Sequence, residues 1–153
     1  MKSYEFLKNL DQDLAQKLYD FICEIERYEE AITTCKQAIM LDPSNDELYN
    51  NLSFAYSCYG RHEEEAITAY KQAININPNY ADAYYNLGFL YLNRKNYVEA
   101  IDSLKKASNL KPNFASLYFG LALSYENLND YNKAVLYWGK YLDLEKNNHN
   151  WIT

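Results

Sequence analysis

The chain has 153 residues, 48% of them hydrophobic and 24% charged, which fits one soluble globular unit rather than a disordered one. A formal charge of −6 and a pI near 4.9 argue against nucleic acid, because phosphate binding needs clustered Lys and Arg. No uncharged run approaches the roughly 20 residues that span a bilayer, and the N-terminus has no signal-peptide core, so a cytoplasmic location is expected.

Helical periodicity begins at once. Phe6, Leu7, Leu10, Leu14 and Leu18 run into Phe21 and Ile22 as one stripe, which predicts a long opening helix from about Tyr4 to Glu26. A second helix is expected from near Tyr28 to just before Asp42-Pro43, since proline disfavours helix in the residue ahead of it. Tyr49, Leu52 and Tyr56 mark the next helix. Arg61-His62-Glu63-Glu64-Glu65 forms a turn one residue longer than its counterpart, and the following helix stops before Asn77-Pro78. Tyr84, Leu87 and Tyr91 repeat the stripe, a helix from near Tyr97 stops before Lys111-Pro112, and Tyr118, Leu121, Tyr125 and a helix from near Tyr131 close the series.

These elements are copies of one unit. Ala31, Ala66, Ala100 and Ala134 recur every 34 or 35 residues, as do Pro43, Pro78 and Pro112. Leu18, Leu52, Leu87 and Leu121 share one slot, and Ile22, Tyr56, Tyr91 and Tyr125 share another. Four residues after each recurrent alanine stand Cys35, Tyr70, Leu104 and Trp138, then Ala38, Ala73, Ala107 and Tyr141. A unit this short cannot enclose a core alone and is stable only when stacked.

The pattern resembles the tetratricopeptide repeat, most closely in the third copy through Tyr84, Leu87, Gly88, Tyr91, Ala100, Leu104, Ala107 and Pro112. The resemblance implies an all-α solenoid of four helix-turn-helix units wound as a right-handed superhelix, with an extended N-terminal helix. One domain over 1–153 is expected, with repeats at about 4–44, 45–79, 80–113 and 114–147 and a tail at 148–153. Ser53, Gly88 and Ala122 are small, to admit the second helix of each unit; Tyr19 is not, so the first unit must pack differently.

No catalytic constellation stands out. There is no glycine-rich phosphate loop and no nucleophile elbow, and His62-Glu63 lacks the second histidine of a zinc motif, so neither an enzyme nor a cofactor or metal is expected. Cys23, Cys35 and Cys58 have no paired spacing, and Cys35 reads as a small buried hydrophobe.

Helical geometry places Asp82, Tyr85, Asn86 and Phe89 opposite the core stripe, on the side that lines the concave groove in the family. The same side carries Glu47, Asn50, Asn51 and Phe54 in the second unit, and Ser116, Phe119, Gly120 and Leu123 in the fourth, with Cys58, Leu92 and Glu126 a turn further on. The candidate groove is therefore Asn50, Asn51, Phe54, Asp82, Tyr85, Asn86, Phe89, Leu92, Phe119 and Leu123: an apolar floor with asparagine amides for a peptide backbone. The expected partner is a protein or peptide, apolar with basic flanks. The alternative that these side chains pack sideways between first helices also stands. A chaperone-tail carboxylate clamp does not fit, because Asp20 and Asp82 occupy slots where it needs basic or amide groups. Two other functions remain open: self-assembly to a homo-oligomer through Trp138, Tyr141, Trp151 and Ile152 at the C-terminal end, and substrate recruitment within a larger protein such as a glycosyltransferase.

Overall fold

The computed structural model describes the backbone of residues 12–60 and 62–149 and the side chains of 24–60 and 62–147. Among the described residues the chain is a solenoid of helices without strands: α1 Gln12–Leu41, α2 Asp46–Tyr59, α3 Glu63–Ile76, α4 Ala81–Asn93, α5 Tyr97–Leu110, α6 Ala115–Asn127 and α7 Tyr131–His149. The expected start of the first helix near Tyr4 and the fold-back of Trp151 and Ile152 lie outside the described residues.

Helix ends follow local chemistry. The Asn45 side chain accepts from the Leu48 N–H at 3.3 Å, and Asp46 and Glu47 face the positive end of the α2 dipole. Gly60 ends α2 at φ 72, where its N–H donates to the Tyr56 carbonyl at 3.2 Å. Lys95 (φ 63) and Asn129 (φ 61) turn the chain after α4 and α6 through one shared pattern. Asn96 N–H donates to Tyr91 O and Asp130 N–H to Tyr125 O, at 2.9 and 3.0 Å.

The first unit departs from expectation: α1 runs for 30 residues, straight through the turn expected between Glu26 and Tyr28. The reason is local. Ile25-Glu26-Arg27 contains no Gly, Asn or Pro to stop a helix or enter the left-handed region, and Glu and Arg favour helix. Two helices of the expected pattern are thus one rod, about 45 Å long at 1.5 Å per residue.

Between the other units the core is dry and close. Ala66, Ala73, Ala100, Ala107, Leu104, Leu117 and Leu121 are completely buried. Where α4 crosses α5, a Cβ placed on Gly88 would lie 2.6 Å from Leu104 Cγ, so the absence of a side chain sets that approach. Ser53 and Ser124, buried in the same layer, satisfy their hydroxyls by donating to Tyr49 O at 2.6 Å and Gly120 O at 2.8 Å. On the outer face Lys36 lies over Tyr56, Lys106 over Tyr84 and Lys133 over Tyr125, at 5.2–5.6 Å from the ring centres.

Successive first helices touch, α2 against α4 and α4 against α6, whereas second helices have no comparable mutual contact among the described residues. The stack therefore curves with its first helices on the inside. The helices that carry the candidate residues are therefore the inner ones.

Two stability predictions follow from this packing. Gly88→Ala should lower unfolding free energy by about 1 kcal/mol in urea titration, overpacking at Leu104 outweighing the helix-propensity gain; Gly139→Ala, with open space around its Cβ position, should raise it by about 0.5–1 kcal/mol. The second concerns alkaline pH. Burial pushes the Tyr70 hydroxyl up to about 12, above its ordinary value near 10, so the fold favours the neutral phenol. Its contribution is complete below pH 10 and is lost as pH rises through about 12, some 2–3 kcal/mol in all. Tyr70→Phe should flatten that part of the stability–pH curve measured by denaturant titration.

Candidate functional site: the inner wall of the repeat stack

The inner wall is built by α2, α4 and α6, and the ten candidate residues all stand on these three helices. They divide into packed and open groups. Tyr85 and Phe89 lie ring to ring at 4.8 Å, and Phe114 leans on Tyr85 at 5.0 Å from the loop before α6. Phe89 reaches sideways to α6, its Cζ 3.0 Å from where a Cβ on Gly120 would sit. Phe119 meets Trp138 edge-on at 5.5 Å and Tyr141 at 5.6 Å. Tyr85, Phe89, Phe119 and Leu123 are thus covered over the larger part of their surface, but none is fully buried. Leu92, also half-buried, packs against the core of the second and third units.

Phe54 is different. It is 56% exposed, beside the exposed Asn51. The neighbouring amides form a polar rung between helices, Asn86 Nδ2 donating to Asn50 Oδ1 at 3.5 Å. Such a contact is long enough to be exchanged for a ligand's backbone groups.

The electrostatics are acidic but partly spent. Lys111 Nζ donates to Asp82 Oδ1 at 2.6 Å, so Asp82 is already paired, a partner across the inter-unit turn that the repeat pattern did not single out. Glu126 Oε2 accepts from Trp138 Nε1 at 3.3 Å. The Tyr80 hydroxyl is pushed above its ordinary value by burial and then by Glu47, Asp46 and Asp82, a sign of negative potential at the α2–α4 edge. A cation would be welcome there.

Trp138 and Tyr141, expected to form a C-terminal association surface, are half-buried on α7 with their rings against Phe119. The open end of the stack is made by other residues of α7: Val135 at 70% exposed, Leu136 at 56% and Leu142 at 52%. Sequence reasoning passed over Val135 because its slot is core in every earlier unit, as Ile32, Ile67 and Ile101. Cys35, expected to be buried, is only half-buried, enough to push its thiol above the ordinary value. His62 stacks on Tyr59 at 5.4 Å and contacts Glu65 at 3.1 Å, in the turn where it was expected. Among the described residues no three His, Cys, Asp or Glu side chains gather to hold a metal, and no helix is long and apolar enough to cross a membrane.

Family models described as TPR repeat match residues 23–57 and 64–95, and models described as tetratricopeptide repeat match 81–114 and 115–148. The chain belongs to the tetratricopeptide repeat family. Three solved structures share the repeat fold. Two are crystal structures of MamA, each 32% identical: one has a TM-score of 0.78 and covers 88% of this chain and 78% of its own, the other 0.75 with 82% and 68%. The third, MamA residues 41 to the end from Desulfovibrio magneticus RS-1, is 25% identical with a TM-score of 0.74, covering 85% and 75%. No curated protein matches the chain in sequence. Membership makes this tetratricopeptide protein a repeat scaffold for protein interaction.

Open and packed rings should separate on mutation. Phe119→Ala removes a ring that supports two others and should destabilise by about 2–3 kcal/mol, whereas Phe54→Ala should change stability by less than about 1 kcal/mol. Paired urea titrations measure both.

Proposed function

We propose that the inner trough of α2, α4 and α6 binds a segment of a partner protein that is apolar at its centre and carries basic residues on its flanks. Phe54 carries this reading: a large apolar side chain more than half exposed on the inside of a curved stack, in line with the free edges of Phe89 and Leu123. The segment's apolar side chains would lie along that row, and Asn51 and Asn86 would pair with its backbone. Basic flanks are supported by the negative edge around Tyr80, where Glu47, Asp46 and Asp82 converge. Asp82 contributes by trading Lys111 for a ligand cation, which ties that end of the site to ionic strength. In this reading residues 1–153 serve as one adaptor domain in the cytoplasm, without chemistry of their own.

The test is selection of a random peptide library on the immobilised chain. Enriched sequences should share an apolar centre with flanking Lys or Arg. Phe54→Ala and Asn51→Ala together should weaken the best peptide by about 5- to 150-fold, some 1–3 kcal/mol, at unchanged melting temperature. Equal affinity for the double variant, or enrichment of acidic peptides, would overturn the reading.

A further inference from the structure

The recurrent small residues of the second helices are sealed in three units and open in one. Ala66, Ala73, Ala100 and Ala107 are 0% exposed and Ala134 is 3%, because the first helix of each unit lies across them. In the first unit the same slots, Ala31, Cys35 and Ala38, are only half-buried. The cover is missing because α1 is a single rod: a straight helix cannot lay its first half on its second. What remains is a cavity of about 440 Å³ between α1 and α2, lined by Glu24, Arg27, Tyr28, Ala31, Cys35 and Ala55 and, where it meets the inner trough, by Asn51 and Phe54, so that a second copy and a partner segment would compete for that end of the trough.

The covering helix is present in the sequence. Leu18 and Ile22 occupy the slots of Leu87 and Tyr91, which seal the third unit. Their neighbour Tyr19 takes the slot of Gly88, and Cys35 takes that of Leu104. In the third unit a missing side chain meets a large one, with Leu104 Cγ 2.6 Å from a Cβ on Gly88. The first unit exchanges the sizes, a large ring on the first helix and a small thiol on the second. The hole beside Cys35 is thus suited to the ring of Tyr19.

We propose that two copies of this chain exchange the first halves of α1, each copy filling the other's cavity and completing its first repeat. The contacts are those the repeat pattern calls for, only made between chains, and the continuous helix through Ile25-Glu26-Arg27 favours making them there. Reciprocal exchange closes at two. Exposed Val135 on α7 stands in the slot of buried Ile101, so α7 also lacks a covering helix; but it offers one helix where the cavity offers two, and docking there would be head-to-tail and grow without limit.

Sedimentation equilibrium on the full chain tests this. The expected mass is twice the 18.0 kDa of the chain at micromolar concentration. Ala31→Arg, which fills the cavity floor, should raise the dissociation constant by about a hundredfold or more. Ile25→Asn with Glu26→Gly restores a turn and should give a monomer of unchanged helix content by circular dichroism, the segment now covering its own second helix. A monomeric parent chain at about 100 µM, open-ended growth, a dimer indifferent to Ala31→Arg, or a turn variant that stays dimeric would each overturn the proposal. Circular dichroism of the Ala31→Arg chain separates a blocked cavity from a failure to fold, and the turn variant decides the matter if that chain does not fold.

Discussion

Everything in this molecule depends on second helices having first helices to lie under. An alanine face gains stability only when a second surface comes close enough to exclude water, and a unit of two helices has one such face more than it can cover. At Gly88 and Leu104 the requirement is met at the shortest distance that backbone allows. The completely buried alanines of the middle units show the result, and the half-buried ones of α1 show what happens when the cover stands away.

Much of the architecture was legible because it rests on period. Prolines and alanines at a constant interval placed the inter-unit turns correctly, and the leucine–tyrosine stripe identified the buried faces. The turn within the first unit was not legible in that way. It was inferred by analogy with later units, whose turns depend on residues at positive φ, namely Gly60, Lys95 and Asn129. Lys95 shows why a residue-type rule is weak here: a lysine adopts the conformation when the surrounding hydrogen bonds support it, and Glu26 lacks that support.

The inner wall was half legible. Periodicity put Phe54, Phe89 and Leu123 opposite the core stripe, and none of the three belongs to the buried core. It could not separate a free ring from a braced one, because that depends on residues a unit away: Gly120 lets Phe89 lean across, while Trp138 and Tyr141 close over Phe119. Phe54 faces no such brace. In the same way the pairing of Asp82 with Lys111 crosses a turn and is invisible to a pattern read within one helix. Long side chains that reach between repeats carry the information that the repeat itself omits.

The lysines resting on tyrosine faces along the outer surface have a mechanical consequence. An ammonium over a ring has no single preferred bearing, so it can slide by a fraction of an ångström at little cost, unlike a hydrogen bond of fixed direction. Each such contact joins the second helix of a unit to its first, beside the close packing of alanine and leucine that holds the pair. The lysine edge of a helix pair can therefore give slightly while the packing beneath it stays fixed.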